Sequence, residues 1–141
     1  VISSALGVAL KSSNNTLLLV GDLSFYHDMN GLIAAQRYNI NLTIVVINNN
    51  GGGIFSFLPV SKEKNKLFNE FWTTPHNLDF KHVSNLYSSK YEKVSSIKSL
   101  ERALNKFRDS KGVKIIEAVT DINLNIKQNQ IILDSIKKIM V

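Results

Sequence analysis

Residues 16–20, TLLLV, run directly into residues 21–55, GDLSFYHDMNGLIAAQRYNINLTIVVINNNGGGIF, and this stretch decides the fold. Thr16 to Val20 and Leu42 to Ile47 are short apolar runs without polar alternation, as expected of strands covered on both faces. Between them the spacing becomes helical, with Leu32, Ile33, Ala35 and Tyr38 at helix-compatible intervals and a close near Asn39 to Asn41. A strand, a helix and a strand in that order join most readily as a right-handed parallel crossover. The two strands then end side by side, one at Gly21-Asp22 and the other at NNNGGG, residues 48–53.

Ligands of open α/β sheets sit outside the carboxyl ends of the strands, which is where these two segments fall. Asp22 and Asn49 are 27 residues apart, the separation that one strand-helix-strand unit needs. Mg²⁺ takes hard oxygen ligands, and an Asp, an Asn amide oxygen and a loop carbonyl supply three. Gly51, Gly52 and Gly53 can adopt positive φ and let backbone amides come close to a phosphate. A helix starting just after Asp22 would turn amides near Leu23 and Ser24 toward the same anion. The dull readings stand beside this one. Asp22 or Ser24 suits a plain helix cap, NNNGGG suits an ordinary loop, and the cradle does not itself require any particular organic cofactor.

The rest of the chain continues the alternation. Ile2 to Leu10 reads as a buried helix, Leu67 to Trp72 as a short helix or ordered loop, and His82 to Tyr87 as one or two helical turns. Tyr91 to Val94 reads as a strand and Ser99 to Arg108 as an amphipathic helix with Gly112 as its stop. Val113 to Val119 is a further strand and Ile126 to Met140 a terminal helix. The expected architecture is α/β, an open, mostly parallel sheet with helices on both faces, formed as a single domain over residues 1–141.

The 44% hydrophobic and 20% charged composition is that of a globular chain, and it excludes disorder and fibrous repeats. The absence of cysteine removes disulfides and thiolate chemistry and fits a cytoplasmic setting. No apolar run is long enough for a membrane span. A net charge of +6 raises the question of nucleic acid, but lysines from Lys62 and Lys64 to Lys114 are scattered rather than gathered in a stripe, so no nucleic-acid partner is expected. His27, His76 and His82 are dispersed without a paired acid or nucleophile, and Asp22 and Asp28, across a strand-to-helix turn, do not share a helix face. Phe68, Phe71 and Trp72 read as core or subunit-contact residues.

Gly-Asp followed about 27 residues later by Asn-Asn resembles the thiamine diphosphate motif of the pyruvate-decarboxylase-like and acetolactate-synthase-like enzymes. Leu23 in place of a third glycine, NNNGGGIFSFLP and TPHNLDFKHVSNLY narrow the resemblance to the 2-succinyl-5-enolpyruvyl-6-hydroxy-3-cyclohexene-1-carboxylate synthase (MenD) family of menaquinone biosynthesis. The resemblance implies a thiamine-diphosphate-binding fold, here the diphosphate-binding domain at the C-terminal end of a three-domain subunit. It further implies a transferase, a carboligase that decarboxylates 2-oxoglutarate and adds the acyl unit to isochorismate. Thiamine diphosphate and Mg²⁺ (or Mn²⁺) would be its cofactors.

By motif match, Asp22, Asn49 and the Gly51 carbonyl would hold the metal. Gly21, Leu23, Ser24 and Gly52 would lie near the diphosphate, and Ile54, Phe55 and Leu58 would form an apolar wall at the reacting face. The activating glutamate would come from the pyrimidine-binding domain of a partner subunit in a homodimer or homotetramer. With no initiator methionine and a first residue already inside an apolar segment, the chain reads as a fragment that is inactive alone. Another thiamine-diphosphate-dependent decarboxylase or acetolactate-synthase-like enzyme, and a non-catalytic phosphate-binding module, are the alternatives.

Overall fold

The computed structural model describes residues 1–63 and 66–140; Lys64, counted above among the scattered lysines, lies outside them. In chain order the elements are α1 (Ile2–Lys11), β1 (Leu17–Gly21), α2 (Asp22–Asp28), a 3-10 turn (Met29–Gly31), α3 (Leu32–Arg37) and β2 (Leu42–Asn48). Two 3-10 turns (Gly53–Phe57 and Pro59–Glu63), α4 (Lys66–Phe68) and a π-helical turn (Asn69–Thr73) follow. The chain closes with α5 (Lys81–Leu86), β3 (Lys90–Val94), α6 (Ile97–Phe107), β4 (Val113–Val119) and α7 (Ile122–Ile139). Two compact units form, one from Val1–Asn48 with Asn77–Val119, the other from Asn49–His76 with the segment from Thr120 onward.

The first unit holds the sheet, four strands in the order β1-β2-β4-β3, all parallel. Successive side chains of a strand face opposite ways, and β2 and β4 use both directions to build two cores. Leu42, Ile44 and Val46 join Val113 and Ile115 beneath α1, α2, α3 and α5, where Phe25 meets Phe80 edge-on at 5.1 Å between ring centres. Val45 joins Ile116 and Ala118 beneath α6, against Ala103 and Phe107. Helices on both faces of a parallel sheet are therefore what the chain forms, as its apolar runs imply. Over β1, on the side of the sheet that α6 covers elsewhere, Leu17 and Leu19 are exposed.

Several boundaries differ from expectation for local reasons. Asp22 is already the first residue of α2, with Gly21 extended ahead of it. The predicted single helix is broken by the Met29–Gly31 turn, where a side chain on Gly31 would meet the Ser3 hydroxyl 2.5 Å away. Its buried face is set by Phe25, Leu32 and Ala35, which leaves Ile33 and Tyr38 in solvent. Helix α1 is amphipathic rather than buried: Ile2 and Leu6 face in, Val8 and Leu10 out.

Helix α6 begins at Ile97 because Ser96 and Ser99 form a reciprocal capping box, Ser96 Oγ accepting from the Ser99 amide at 3.2 Å. Gly112 does not end this helix. It lies in the turn before β4 at φ +82° and donates its N–H to Asn41 Oδ1 at 2.6 Å.

In the second unit, α7 starts at Ile122, ahead of the expected Ile126, because Asp121 caps it by accepting from the Leu124 amide at 2.9 Å. None of its residues is buried, and Ile131, Ile132, Ile136 and Ile139 are exposed. Of the three aromatics assigned to core or contact, Phe68 is buried while Phe71 and Trp72 are exposed. Among the described residues no helix is long and apolar enough to cross a membrane.

Candidate cofactor and metal site

In the sheet unit, β1 delivers Asp22 at the carboxyl edge of the sheet, where its residue is only 3% exposed. Its Oδ1 accepts from the Leu23 amide at 2.7 Å, so one of the amides that the sequence offered to an anion is already engaged. Asp28, at the far end of the same helix, is taken up by α1: its carboxylate accepts from the Ser3 amide at 3.0 Å and from Ser3 Oγ at 2.9 Å. The two acids do different jobs. A side chain on Gly21 would meet nothing of this chain within 4 Å.

Beside β1, β2 ends in Asn48, whose Nδ2 donates to Glu117 Oε1 at 2.9 Å. Glu117, on β4, has no exposed surface. It also accepts from the Tyr91 hydroxyl at 2.5 Å and pairs with Lys93 Nζ at 3.3 Å. Burial, followed by the hydrogen bond and charge of Glu117, holds the Tyr91 hydroxyl well above the ordinary tyrosine range. Sequence reasoning passed over this cluster, although its signal is present: VKIIEAV, residues 113–119, puts one carboxylate inside a strand otherwise suited to burial.

In the second unit the glycine loop is packed against its own chain. Gly51 sits at φ +137°, and a Cβ there would run into the Thr73 carbonyl. The Gly52 amide donates to Thr73 O at 2.7 Å, and a Cβ on Gly52 would lie 2.8 Å from both the Phe55 ring and the Trp72 carbonyl. A Cβ on Gly53 would strike the Asn49 amide and Ile122 Cδ1. Glycine is thus required by close backbone approach inside the unit as well as being permissive toward a phosphate.

Asn49, Asn50, Gly51 and Gly53 line a cavity of about 600 Å³ whose wall mixes uncharged polar side chains such as Asn69 and Asn123 with apolar ones such as Phe68, Ile122 and Ile126. Phe55 meets Trp72 edge-on at 5.5 Å, while Ile54 and Leu58 stand exposed. Asn49, Gly51 and Gly52 therefore fall in one unit, and Gly21, Asp22, half-buried Leu23 and exposed Ser24 in the other. His27 and His82 are exposed, and among the described residues no three acidic or histidine side chains gather as a metal cage.

The chain belongs to the thiamine pyrophosphate enzymes, as their C-terminal TPP binding domain, whose family model matches residues 1–118. It is similar to the 2-succinyl-5-enolpyruvyl-6-hydroxy-3-cyclohexene-1-carboxylate synthase of Listeria welshimeri, with 46% identity over 136 residues, 96% of this chain and 23% of that protein. It is 45% identical to the Oceanobacillus iheyensis protein of the same name over 130 residues, 92% of this chain and 22% of that one. The chain thus spans about a quarter of the length of the curated relatives it matches.

Two solved structures share the fold. The Rhodococcus jostii RHA1 thiamine diphosphate-dependent 4-hydroxybenzoylformate decarboxylase superposes with a TM-score of 0.71 at 24% identity, over 84% of this chain and 22% of that one. Benzoylformate decarboxylase from Polynucleobacter necessarius gives 0.72 at 22% identity, over 84% and 23%.

Proposed function

We propose that this chain is the diphosphate- and metal-binding domain of a thiamine-diphosphate-dependent synthase of menaquinone biosynthesis, the C-terminal part of a longer, three-domain cytoplasmic subunit. The enzyme would decarboxylate 2-oxoglutarate and transfer the acyl unit to isochorismate. The observation that carries this reading is the similarity to synthases of one name over 96% of the chain.

The residues fit the cofactor and its metal. The metal is assigned to Asp22, Asn49 and Gly51, a buried carboxylate, an amide and a backbone carbonyl, all oxygen donors of the kind Mg²⁺ (or Mn²⁺) prefers. Gly21, Leu23, Ser24 and Gly52 are assigned to the diphosphate, Gly21 having open space where a side chain would otherwise stand. Bound thiamine diphosphate supplies a nucleophilic carbon for decarboxylation and acyl transfer. Ile54, Phe55 and Leu58 would keep water from the reacting face, and the exposure of Ile54 and Leu58 suits residues that meet a ligand or another domain. The pyrimidine-binding domain of a partner subunit in a homodimer or homotetramer would complete the site, leaving this chain inactive alone.

The test is calorimetric titration of the full-length protein with thiamine diphosphate, with and without Mg²⁺, followed by turnover of 2-oxoglutarate in the presence of isochorismate. Metal-dependent binding and consumption of both substrates are expected. Binding without that turnover would point to another decarboxylase or carboligase, and absence of binding would leave a module that recognises phosphate in some other compound.

A further inference from the structure

We infer that Glu117 is a positioning residue: it holds the side chain of Asn48 at the last place of β2, the residue joined directly to the assigned metal ligand Asn49. The inference rests on the assignment of the Asn49–Gly53 loop to metal and diphosphate.

Glu117 is completely buried near the carboxyl ends of the strands, opposite Val46 on one side and Lys93 on the other. A carboxylate is costly in such a place unless donors replace its lost water, and an apolar side chain of similar volume would satisfy the fold with less difficulty. Packing alone therefore gives no reason for glutamate in VKIIEAV.

The donors around it supply one. The Tyr91 hydroxyl occupies Oε2 at 2.5 Å, and Lys93, whose side chain is 56% exposed, brings a compensating charge to Oε1 at 3.3 Å from the solvent side. With the carboxylate held by two side chains of the neighbouring strand β3, Oε1 presents a fixed acceptor to Asn48 Nδ2 at 2.9 Å. The bond crosses from β4 to β2 and lands on the residue immediately before Asn49. Loss of a partner bonded directly to a metal ligand typically lowers affinity by about 10- to 100-fold, and a group that holds the residue next to the ligand acts through the same geometry.

The experiment measures Mg²⁺-dependent thiamine diphosphate affinity by calorimetry in the full-length protein, with thermal unfolding in parallel. Glu117→Gln keeps an acceptor for Asn48 and should bind within about threefold of the wild type, whereas Glu117→Leu should lose about tenfold or more. Asn48→Ala, which removes the far end of the bond, should lose a similar amount. It decides the question if Glu117→Leu does not fold. In the double variant the losses should not add, because both changes break the same link.

Wild-type-like affinity in Glu117→Leu or Asn48→Ala, or additive losses in the double variant, would overturn the inference. A wild-type protein without metal-dependent binding would overturn both it and the proposed function. Normal wild-type binding with unaffected variants would overturn the positioning role alone.

Discussion

Gly21 lies opposite Ile47 in the parallel pairing of β1 with β2, so Asp22 turns into its helix while β2 has one residue, Asn48, still to run. Asp22 is thus a buried acid at the carboxyl edge of the sheet, its Oδ1 accepting from the Leu23 amide. Asp22→Asn retains an acceptor for the Leu23 amide and removes the charge. In the full-length protein it should lower Mg²⁺-dependent thiamine diphosphate affinity by on the order of 100-fold, about 2.8 kcal/mol, with little change in melting temperature. Titration with and without the metal checks this, and an unchanged affinity would remove Asp22 from the site.

Two glycines should separate folding from ligand approach. Gly51→Ala forces a side chain onto φ +137° and into the Thr73 carbonyl, so it should cost roughly 2 kcal/mol or more in unfolding experiments. Gly21→Ala has open space and ordinary φ, and its stability should stay within about 0.5 kcal/mol of the wild type. If a diphosphate lies against Gly21, the same alanine should still weaken cofactor binding. Full affinity in Gly21→Ala would release that position from the cradle.

The capping box of α6 is independent of any ligand. Ser96→Ala removes the acceptor for the Ser99 amide, and the expected loss is about 1 kcal/mol, read as a lower midpoint in urea with an unchanged slope. No loss would mean that the box is absent in solution.

Tyr91 carries a pH prediction. Its hydroxyl keeps its proton more tightly in the folded protein than in the unfolded chain, owing to burial and the bond to Glu117. The resulting stabilisation is complete below the ordinary tyrosine value of about 10 and is lost as pH rises above it. The wild type should therefore lose stability between about pH 10 and 11 more steeply than Tyr91→Phe. Parallel pH curves in denaturant unfolding would refute the coupling.

The elements readable from sequence were those with one dominant signal. Val113 to Val119 could be bounded to the residue because Gly112 precedes it and polar residues follow, and the two apolar runs beside Gly21 and Asn48 define the parallel crossover through their lack of polar alternation. Periodicity misjudged the exposed face of the helical stretch after Asp22, since Ile33 is apolar yet the packing of Phe25 and Leu32 sets which side is buried. The cap at Asp121 was overlooked because Ile126 is a more conspicuous apolar start. Glu117 was hidden for a different reason: its partners Asn48 and Tyr91 are distant in sequence, and only the β2-β4-β3 order brings them together. The glycine loop was legible as a loop, but Thr73 and Trp72, which press on it, carry no motif that announces the contact.

The division of β2 between two cores limits how this chain can change in length. Inserting or deleting one residue between Leu42 and Asn48 would exchange the inward sets beneath the opposing helices and turn the amide of Asn48 away from Glu117. Indels should therefore be confined to the connections, such as Ser12 to Asn15, whereas the central strand tolerates substitution by matching apolar residues but not a change in count.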